Sequence, residues 1–224
     1  MSVAVILVAA GQGTRLGAAQ PKAFVALAGV SLLEHAVRRA LEADEVSHIV
    51  VVAPASHLSE AGAIASRSAR PADVDVVPGG AERTQSVAAG LAALRPEDGI
   101  VLVHDAARSL APPSLYSRLV HEVRSGHPAV VPGLPVTDTI KQVDARGVVV
   151  STPDRSSLRA VQTPQAFLRE VLQHAHATGA DATDDAALVE AVGGHVRVVP
   201  GEPLAFKITT PDDLALAERH LSDR

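Results

Sequence analysis

The chain has 224 residues, no cysteine, 2% aromatic residues and a formal net charge of −5 at pH 7. The lack of cysteine excludes disulfides, cysteine-ligated zinc, iron–sulfur clusters and a thiol nucleophile, and an acidic chain with few aromatic rings is not expected to bind nucleic acid. No apolar run is long enough to span a bilayer and the first residues lack a secretory pattern, so we expect a cytoplasmic protein without membrane contact.

Short apolar runs alternate with amphipathic stretches along most of the chain. The predicted strands are Val3–Ala9, His48–Ala53, Val74–Val77, Ile100–His104, Ala129–Pro132 and His195–Val199. The predicted helices are Ser31 to about Ala43, Glu82–Leu94, Pro113–Arg124, Pro164–Ala177, Asp184–Val192 and a last helix from Thr210. This alternation predicts an α/β fold with a mainly parallel, twisted sheet flanked by helices.

The stretch over residues 135–158 has no helical period. Two extended segments, Thr137–Val143 and Val148–Thr152, are joined by a turn at Asp144–Gly147, which predicts an antiparallel hairpin. A hairpin inserted in a parallel sheet usually projects from the body. We therefore predict one domain over residues 1–224, with residues 135–158, called the arm below, as a dimerisation or substrate-binding element.

A glycine-rich turn ends the first predicted strand. It contains Gly11, Gly13 and Arg15, and Lys22 follows shortly after. Backbone N–H groups in such turns bind phosphates, but the turn matches neither a Walker A loop nor a dinucleotide-binding loop. A glycine loop with two cations fits a triphosphate, whereas the structural alternative is a tight turn with two solvated cations.

A second glycine motif follows the third predicted strand. Gly79 and Gly80 precede Arg83 and Ser86, which are three residues apart and share a helix face. Paired glycines allow close approach by a planar group such as a base. The alternative is a surface turn followed by ordinary first-turn residues.

An acidic residue, Asp105, ends the buried strand of the His-Asp-Ala-Ala-Arg motif. Open α/β sheets bind ligands at this edge, and one carboxylate there can hold Mg²⁺, although Asp also caps turns. We predict that the neighbouring His104 packs rather than binds metal. We interpret Asp184 and Asp185 as first-turn acids of a helix capped by Thr183.

Taken together, the motifs resemble the 2-C-methyl-D-erythritol 4-phosphate cytidylyltransferases, a family of the non-mevalonate isoprenoid pathway. The matching pieces are Ala-Ala-Gly-x-Gly-x-Arg with Pro-Lys, Gly-Gly-x-x-Arg-x-x-Ser, His-Asp-Ala-Ala-Arg, Asp-Thr-Ile-Lys, Thr-Pro-Gln-x-Phe and Lys-Ile-Thr-x-Pro-x-Asp-Leu. The resemblance implies a Rossmann-like nucleotidyltransferase fold and a homodimer formed through the arm. It also implies Mg²⁺-dependent transfer of CMP from CTP to 2-C-methyl-D-erythritol 4-phosphate, which is a sugar-alcohol phosphate.

The resemblance assigns an expected role to each matching residue. The catalytic cations would be Arg15, Lys22 and Lys207. The nucleotide would be bound by Ala10, Gly11, Gly13, Gly80, Arg83 and Ser86, and Mg²⁺ by Asp105. The acceptor would be bound by Arg108, Thr163 and, from the neighbouring subunit, Thr139 and Arg155. The chain departs from the family pattern at Ala23, where relatives often have Gln, and at Pro203–Phe206.

Two other functions remain open from the sequence. One is a cytidylyltransferase for another polyol phosphate, such as ribitol 5-phosphate, which would differ in the acceptor pocket. The other is a non-catalytic nucleotide-binding module, which the presence of Arg15, Lys22 and Asp105 together argues against.

Overall fold

The computed structural model of the protein describes residues 1–11, 20–180 and 182–222. The predicted loop residues Gly13 and Arg15 lie outside these ranges. The strands are β1 (Ser2–Val8), β2 (Ala26–Leu27), β3 (Val30–Ser31), β4 (Val46–Ala53), β5 (Val74–Pro78), β6 (Asp98–Asp105), β7 (Ala129–Pro135), β8 (Gln142–Val143), β9 (Val149–Ser151), β10 (Arg159–Val161), β11 (Gln165–Leu168) and β12 (Arg197–Pro200). The α-helices are α1 (Leu32–Leu41), α2 (Leu58–Arg67), α3 (Arg83–Ala92), α4 (Pro113–Arg124), α5 (Arg169–His176), α6 (Asp185–Ala191) and α7 (Pro211–Ser222).

A mainly parallel sheet organises the fold. Its strand order is β10-β7-β11-β6-β1-β4-β5, with β12 also paired to β7. Strands β6, β1, β4 and β5 run parallel, whereas β11 is antiparallel to both β6 and β7. Val8 at the end of β1 pairs in register with Asp105 at the end of β6. The glycine turn and the predicted magnesium ligand therefore start from adjacent points on one sheet edge.

Helices cover both faces of this sheet, because successive side chains of a strand point to opposite faces. Val5 and Leu7 of β1 join the core that α1 and α4 cover, whereas Ile6 joins the core beneath α3. A Cβ on Gly90 of α3 would lie 2.5 Å from Cγ2 of Ile6. This glycine lets α3 pack tightly against β1, the strand whose carboxyl end borders the pocket described below.

A third apolar cluster joins two segments that are distant in sequence. Its buried members are Leu27, Leu32, Leu110, Ile208 and Ala217. The cluster packs α7 against the short β2–β3 hairpin. It therefore ties the segment that carries Lys22 to the segment that carries Lys207.

The α/β prediction is confirmed, and all six predicted strands are present with small shifts at their ends. The predicted helix Pro164–Ala177 is partly wrong, because Gln165–Leu168 is strand β11 and the helix begins at Arg169. Phe167 of β11 is fully buried between β6 and β7. Sheet pairing thus overrides the helix-start signal of Thr163–Pro164. Helix α2 was not predicted.

The predicted hairpin in the arm is confirmed. Strands β8 and β9 pair antiparallel and form a small sheet of their own. Gly147 adopts φ +80° at the turn, and Oδ1 of Asp144 accepts hydrogen bonds from the backbone N–H groups of Arg146 and Val148. Among the residues that the structure describes, no helix combines the length and apolarity needed to cross a membrane.

Candidate active site

A pocket opens at the carboxyl ends of β1 and β6, beside the start of α3. It is lined by these predicted site residues: Ala10, Gly11, Lys22, Gly80, Arg83, Ser86, Asp105 and Lys207. It is also lined by residues that sequence reasoning did not single out, among them Ala81, Glu82, Ala106 and Ala107. Four motifs that are far apart in sequence therefore meet at one sheet edge.

Hydrogen bonds within the chain hold the second glycine motif. Oγ of Ser86 accepts from the backbone N–H of Gly80 at 3.2 Å and donates to the carbonyl of Glu82 at 3.1 Å. A Cβ on Gly79 would meet Ala10 and Ser86, and one on Gly80 would meet Gln85. Close approach of the chain to itself therefore requires a small residue at both positions, and Gly80 also lines the pocket.

Asp105 lies between two cations at the end of β6. Its Oδ2 is 2.7 Å from Nζ of Lys207, and its Oδ1 is 3.5 Å from Nε of Arg83. Burial by itself raises the pKa of Asp105, but Lys207 and Arg83 outweigh it and hold that pKa well below its usual range. The carboxyl group is therefore ionised at neutral pH.

Arg83 also contacts a second carboxylate, on α6. Its Nη1 lies 2.7 Å from Oδ2 of Asp185, which is fully buried. Burial lowers the pKa of Arg83, but Asp185 and then Asp105 raise it above its ordinary value. The interpretation of Asp185 as a first-turn acid of α6 missed this contact, and the helix cap is Asp184, not Thr183. The adjacent acids were visible in the sequence, but their partner on α3 was not.

The two lysines of the pocket are held by apolar neighbours in the chain. Lys22 begins a short 3-10 turn, Lys22–Phe24, whose Ala23 and Phe24 are buried. Lys207 lies between Phe206 and Ile208, which both belong to the third apolar cluster. Ala23, where relatives often have Gln, is therefore a small packing residue in the pocket wall.

Arg108 lies beside the pocket and is held by backbone carbonyls. Its Nη1 donates to the carbonyl of Ala205 at 2.8 Å, and its Nη2 donates to that of Val161 at 3.5 Å. Burial lowers the pKa of Arg108, and the nearby Asp105 opposes this. The chain departs from the family pattern at Pro203–Phe206, but the hydrogen bond from Arg108 to Ala205 does not depend on the side chains there. Its acceptor is the main-chain oxygen of Ala205.

Thr163 is buried and bonded within the protein. Its Oγ1 accepts from the backbone N–H of Asp105 at 3.0 Å and lies 3.0 Å from Nδ1 of His104. Burial lowers the pKa of His104 to about 4, so the ring is neutral at pH 7 and one of its two nitrogens carries the proton. The prediction that His104 packs at the strand end is confirmed, since its exposure is 0%.

Similarity to known proteins places the chain in a family. The family model described as 2-C-methyl-D-erythritol 4-phosphate cytidylyltransferase matches residues 3–223. The chain belongs to this family. The cytidylyltransferase of Nocardia farcinica is 54% identical over 223 residues, which span 100% of this chain and 95% of that protein. The one from Rhodococcus jostii is 55% identical over 216 residues, 96% of this chain and 93% of that protein.

Solved structures of cytidylyltransferases share the fold. The Thermus thermophilus enzyme has a TM-score of 0.79 at 35% identity, covering 99% of this chain and 100% of that chain. The synthase from Anaerococcus prevotii has a TM-score of 0.86 at 28% identity, covering 99% and 98%. The predicted resemblance and the predicted nucleotidyltransferase fold are confirmed.

Two residues expected to bind the acceptor in this cytidylyltransferase family lie apart from the pocket within one chain. Thr139 and Arg155 are exposed on the arm and are not among the described residues that line the pocket. Nη1 of Arg155 donates to the carbonyl of Thr137. A single chain therefore does not bring the arm and the pocket residues together.

The pocket offers Mg²⁺ the carboxylate oxygens of Asp105. Over residues 1–11, 20–180 and 182–222, no three His, Cys, Asp or Glu side chains cluster as a metal cage. Mg²⁺ commonly takes one or two carboxylates together with phosphate oxygens and waters. The ionised carboxylate of Asp105 is a hard oxygen donor inside the pocket, so it fits a Mg²⁺ ion shared with a nucleotide.

Proposed function

We propose that this pocket carries out the reaction of its family, the transfer of CMP from CTP to 2-C-methyl-D-erythritol 4-phosphate in isoprenoid precursor biosynthesis. The observation that carries the proposal is the position of Asp105. It lies in register with the end of the glycine-turn strand and between the cations Arg83 and Lys207. A pocket with an ionised carboxylate among cations fits a metal-bound triphosphate better than it fits a neutral ligand.

The reaction is a displacement at the α-phosphorus of CTP. A phosphate oxygen of the acceptor forms a bond to this phosphorus, and the bond to the β-phosphate bridging oxygen breaks, so pyrophosphate leaves with the electron pair. The attacking oxygen is already anionic near neutral pH, so the site needs no strong base. The described pocket lining contains no histidine, which agrees with this chemistry. Rate enhancement must then come from orientation and charge stabilisation.

Cations of the chain offset the repulsion between the two anionic substrates. We assign Lys22 and Lys207 to the phosphate oxygens, because both line the pocket. Arg15, which lies outside the described residues, would add a third catalytic cation.

The backbone of Ala10, Gly11 and Gly13 would contact the triphosphate, as the family resemblance implies. Gly80, Arg83 and Ser86 would then lie around the cytosine and its ribose.

Asp105 would hold Mg²⁺ when the nucleotide binds. The bound ion would neutralise charge on the triphosphate and on the leaving pyrophosphate. Nζ of Lys207 lies 2.7 Å from Oδ2 of the same carboxylate. From this position Lys207 would contact both Asp105 and the phosphate oxygens of a bound nucleotide. Because the pKa of Asp105 is held low, the carboxylate stays ionised and available throughout the neutral pH range.

The acceptor site would be completed by a second subunit. We propose a cytoplasmic homodimer in which Arg108 and Thr163 of one chain and Thr139 and Arg155 of the other contact the acceptor. The arm exposes apolar side chains that a partner would cover, with exposures between 39% and 59%: Ile140, Val143, Val148, Val149 and Val150. Such a patch on a two-stranded hairpin is typical of a protein interface.

The test is pyrophosphate release from CTP, Mg²⁺ and 2-C-methyl-D-erythritol 4-phosphate, with product identified by mass. Wild-type protein is expected to turn over this acceptor, and Asp105→Asn, which keeps the side-chain shape, is expected to lose most of the rate. Ribitol 5-phosphate as acceptor and UTP as donor are run in parallel. Faster turnover of ribitol 5-phosphate would overturn the acceptor assignment, and equal turnover of UTP would overturn the base assignment. No release with any acceptor would favour a binding module.

A further inference from the structure

Arg83 is shared between two carboxylates that come from different parts of the fold. Its Nη1 lies 2.7 Å from Oδ2 of Asp185, and its Nε lies 3.5 Å from Oδ1 of Asp105. The shorter contact is to the residue that does not line the pocket. Asp185 is fully buried, so it faces the protein interior and not the nucleotide.

The carboxylate of Asp185 is itself held in place. Its Oδ1 lies 2.9 Å from Nε2 of His176, which is on α5. The start of α6 is fixed to β11, because Gln165 donates to Asp184 at 2.7 Å and accepts from the backbone N–H of Ala186 at 3.2 Å. The position of Asp185 is therefore set by two neighbouring elements, and it cannot easily move with Arg83.

Burial explains why this contact should control Arg83. An unpaired buried carboxylate is costly, so Asp185 strongly favours a geometry in which a cation stays beside it. Asp105, by contrast, faces the pocket and has Lys207 as a second cationic partner at 2.7 Å. Without Asp185, the guanidinium of Arg83 would be free to move onto Asp105 and away from the nucleotide.

We infer that Asp185, held by His176, is a positioning residue that fixes the guanidinium of Arg83 at the pocket wall for nucleotide binding. Asp185 touches neither substrate and acts only through Arg83. The inference rests on the proposed function, because it takes CTP as the ligand of the pocket that Arg83 lines.

A double-mutant cycle between the two residues tests this. CTP affinity in the presence of Mg²⁺ is measured by calorimetry for wild type, Asp185→Asn, Arg83→Gln and the double variant. Asp185→Asn is expected to weaken CTP binding roughly tenfold and to raise the KM for CTP more than it lowers kcat. In the Arg83→Gln background the same change is expected to alter CTP affinity less than about twofold, since the residue it acts through is absent.

Histidine variants give a second test that leaves Asp185 intact. His176→Leu removes the donor to Asp185 and is expected to weaken CTP binding in the same direction, by a smaller factor. His176→Gln keeps a side-chain N–H donor and is expected to restore much of that affinity. His174→Leu is the matched control, because His174 is exposed on the same helix.

Equal weakening by Asp185→Asn with and without Arg83 would overturn the inference, because it would mean a general structural role. Unchanged CTP affinity in a folded Asp185→Asn protein would also overturn it. If Asp185→Asn does not fold, His176→Leu replaces it in the cycle. The inference then requires that His176→Leu weaken CTP binding less in the Arg83→Gln background than in wild type. Failure of the proposed function is seen separately, as a wild-type protein that releases no pyrophosphate.

Discussion

The backbone at Gly79 approaches Ala10 so closely that a Cβ on Gly79 would lie 2.5 Å from the Cβ of Ala10. The same Cβ would lie 2.9 Å from Oγ of Ser86. Ala10 begins the glycine turn, whereas Ser86 is on α3, so this one position joins the two predicted nucleotide-binding motifs. The contact cannot be relieved by a rotamer change of Ala10, because an alanine Cβ is fixed to the backbone.

Gly79→Ala is therefore expected to separate the glycine turn from α3. Overpacking of this kind typically costs about 1–3 kcal/mol in the free energy of unfolding, and we expect a raised KM for CTP as well. Denaturant unfolding and initial-rate kinetics measure the two effects. Gly62→Ala is the matched control, because a Cβ there meets nothing within 4 Å and alanine favours the helix. Equal stability of the two variants would contradict the prediction.

The pocket at the carboxyl ends of β1 and β6 could be predicted from the sequence, because each motif that forms it is a short local pattern. In one motif an apolar run is followed directly by Asp105, and in the other an apolar run is followed by glycines and then by Lys22. Each motif can be recognised from a single short stretch of sequence. Since parallel strands expose their carboxyl ends at one edge, those motifs are expected to converge, and the structure confirms this for the described residues.

Contacts between distant segments could not be predicted in the same way. The ion pair between Arg83 and Asp185 joins residues that are 102 positions apart (185 minus 83). Strand β11 was mistaken for a helix start because Thr163–Pro164 is a helix signal, and only pairing with β6 and β7 makes Gln165–Leu168 a strand. The ion pair depends on how distant segments pack, and the β11 error arises because sheet pairing outweighs local propensity.

Lys22→Ala is expected to lower the rate of CMP transfer far more than it weakens CTP binding. Lys22 would contact oxygens that gain charge during displacement, and loss of one such group typically costs about 100- to 1,000-fold in kcat. Steady-state kinetics with both substrates separate kcat from KM. Arg67→Ala, which removes an exposed cation from α2, should change neither value. A raised KM with unchanged kcat would mean that Lys22 binds only the ground state.

His104 is expected to make folding stability fall between about pH 6.5 and pH 4. Burial lowers its pKa to about 4, with Asp105 opposing and Arg108 adding to the shift, while Tyr116 packs edge-on against the ring. The unfolded chain binds this proton near pH 6.5 and the folded chain only near pH 4, so acid favours unfolding. The stability contribution is fully present above the unfolded pKa and amounts to about 2 kcal/mol between pH 7 and pH 5.

Denaturant unfolding at pH 7 and pH 5 measures this difference, and His104→Asn isolates it. An asparagine amide can form a hydrogen bond with the hydroxyl of Thr163 in either direction, but it does not titrate in this range. The variant is expected to lose less stability on acidification than wild type, because other groups still titrate in both proteins. An identical pH dependence in the two proteins would mean that His104 binds its proton equally in the folded and unfolded states.

The arm gives a prediction that depends on two subunits. Thr139 and Arg155 lie on the exposed arm, apart from the pocket of their own chain. If they complete the partner's acceptor site, Arg155→Ala disables the partner's site, whereas Lys22→Ala disables the site of its own chain. Each variant alone is expected to have very low activity. In a mixed dimer both defects then fall on one site and the other site is intact.

Mixing the two variants should therefore restore activity. With random exchange, half of the dimers are mixed and each has one intact site, so about a quarter of all sites recover. Subunit exchange is confirmed by tagging one variant and isolating the mixed dimer before the pyrophosphate assay. Lys22→Ala mixed with a second pocket variant, Lys207→Ala, is the control, because each chain of that dimer carries a defect in its own site. Confirmed exchange without recovered activity would show that Arg155 serves its own subunit or does not contact the acceptor.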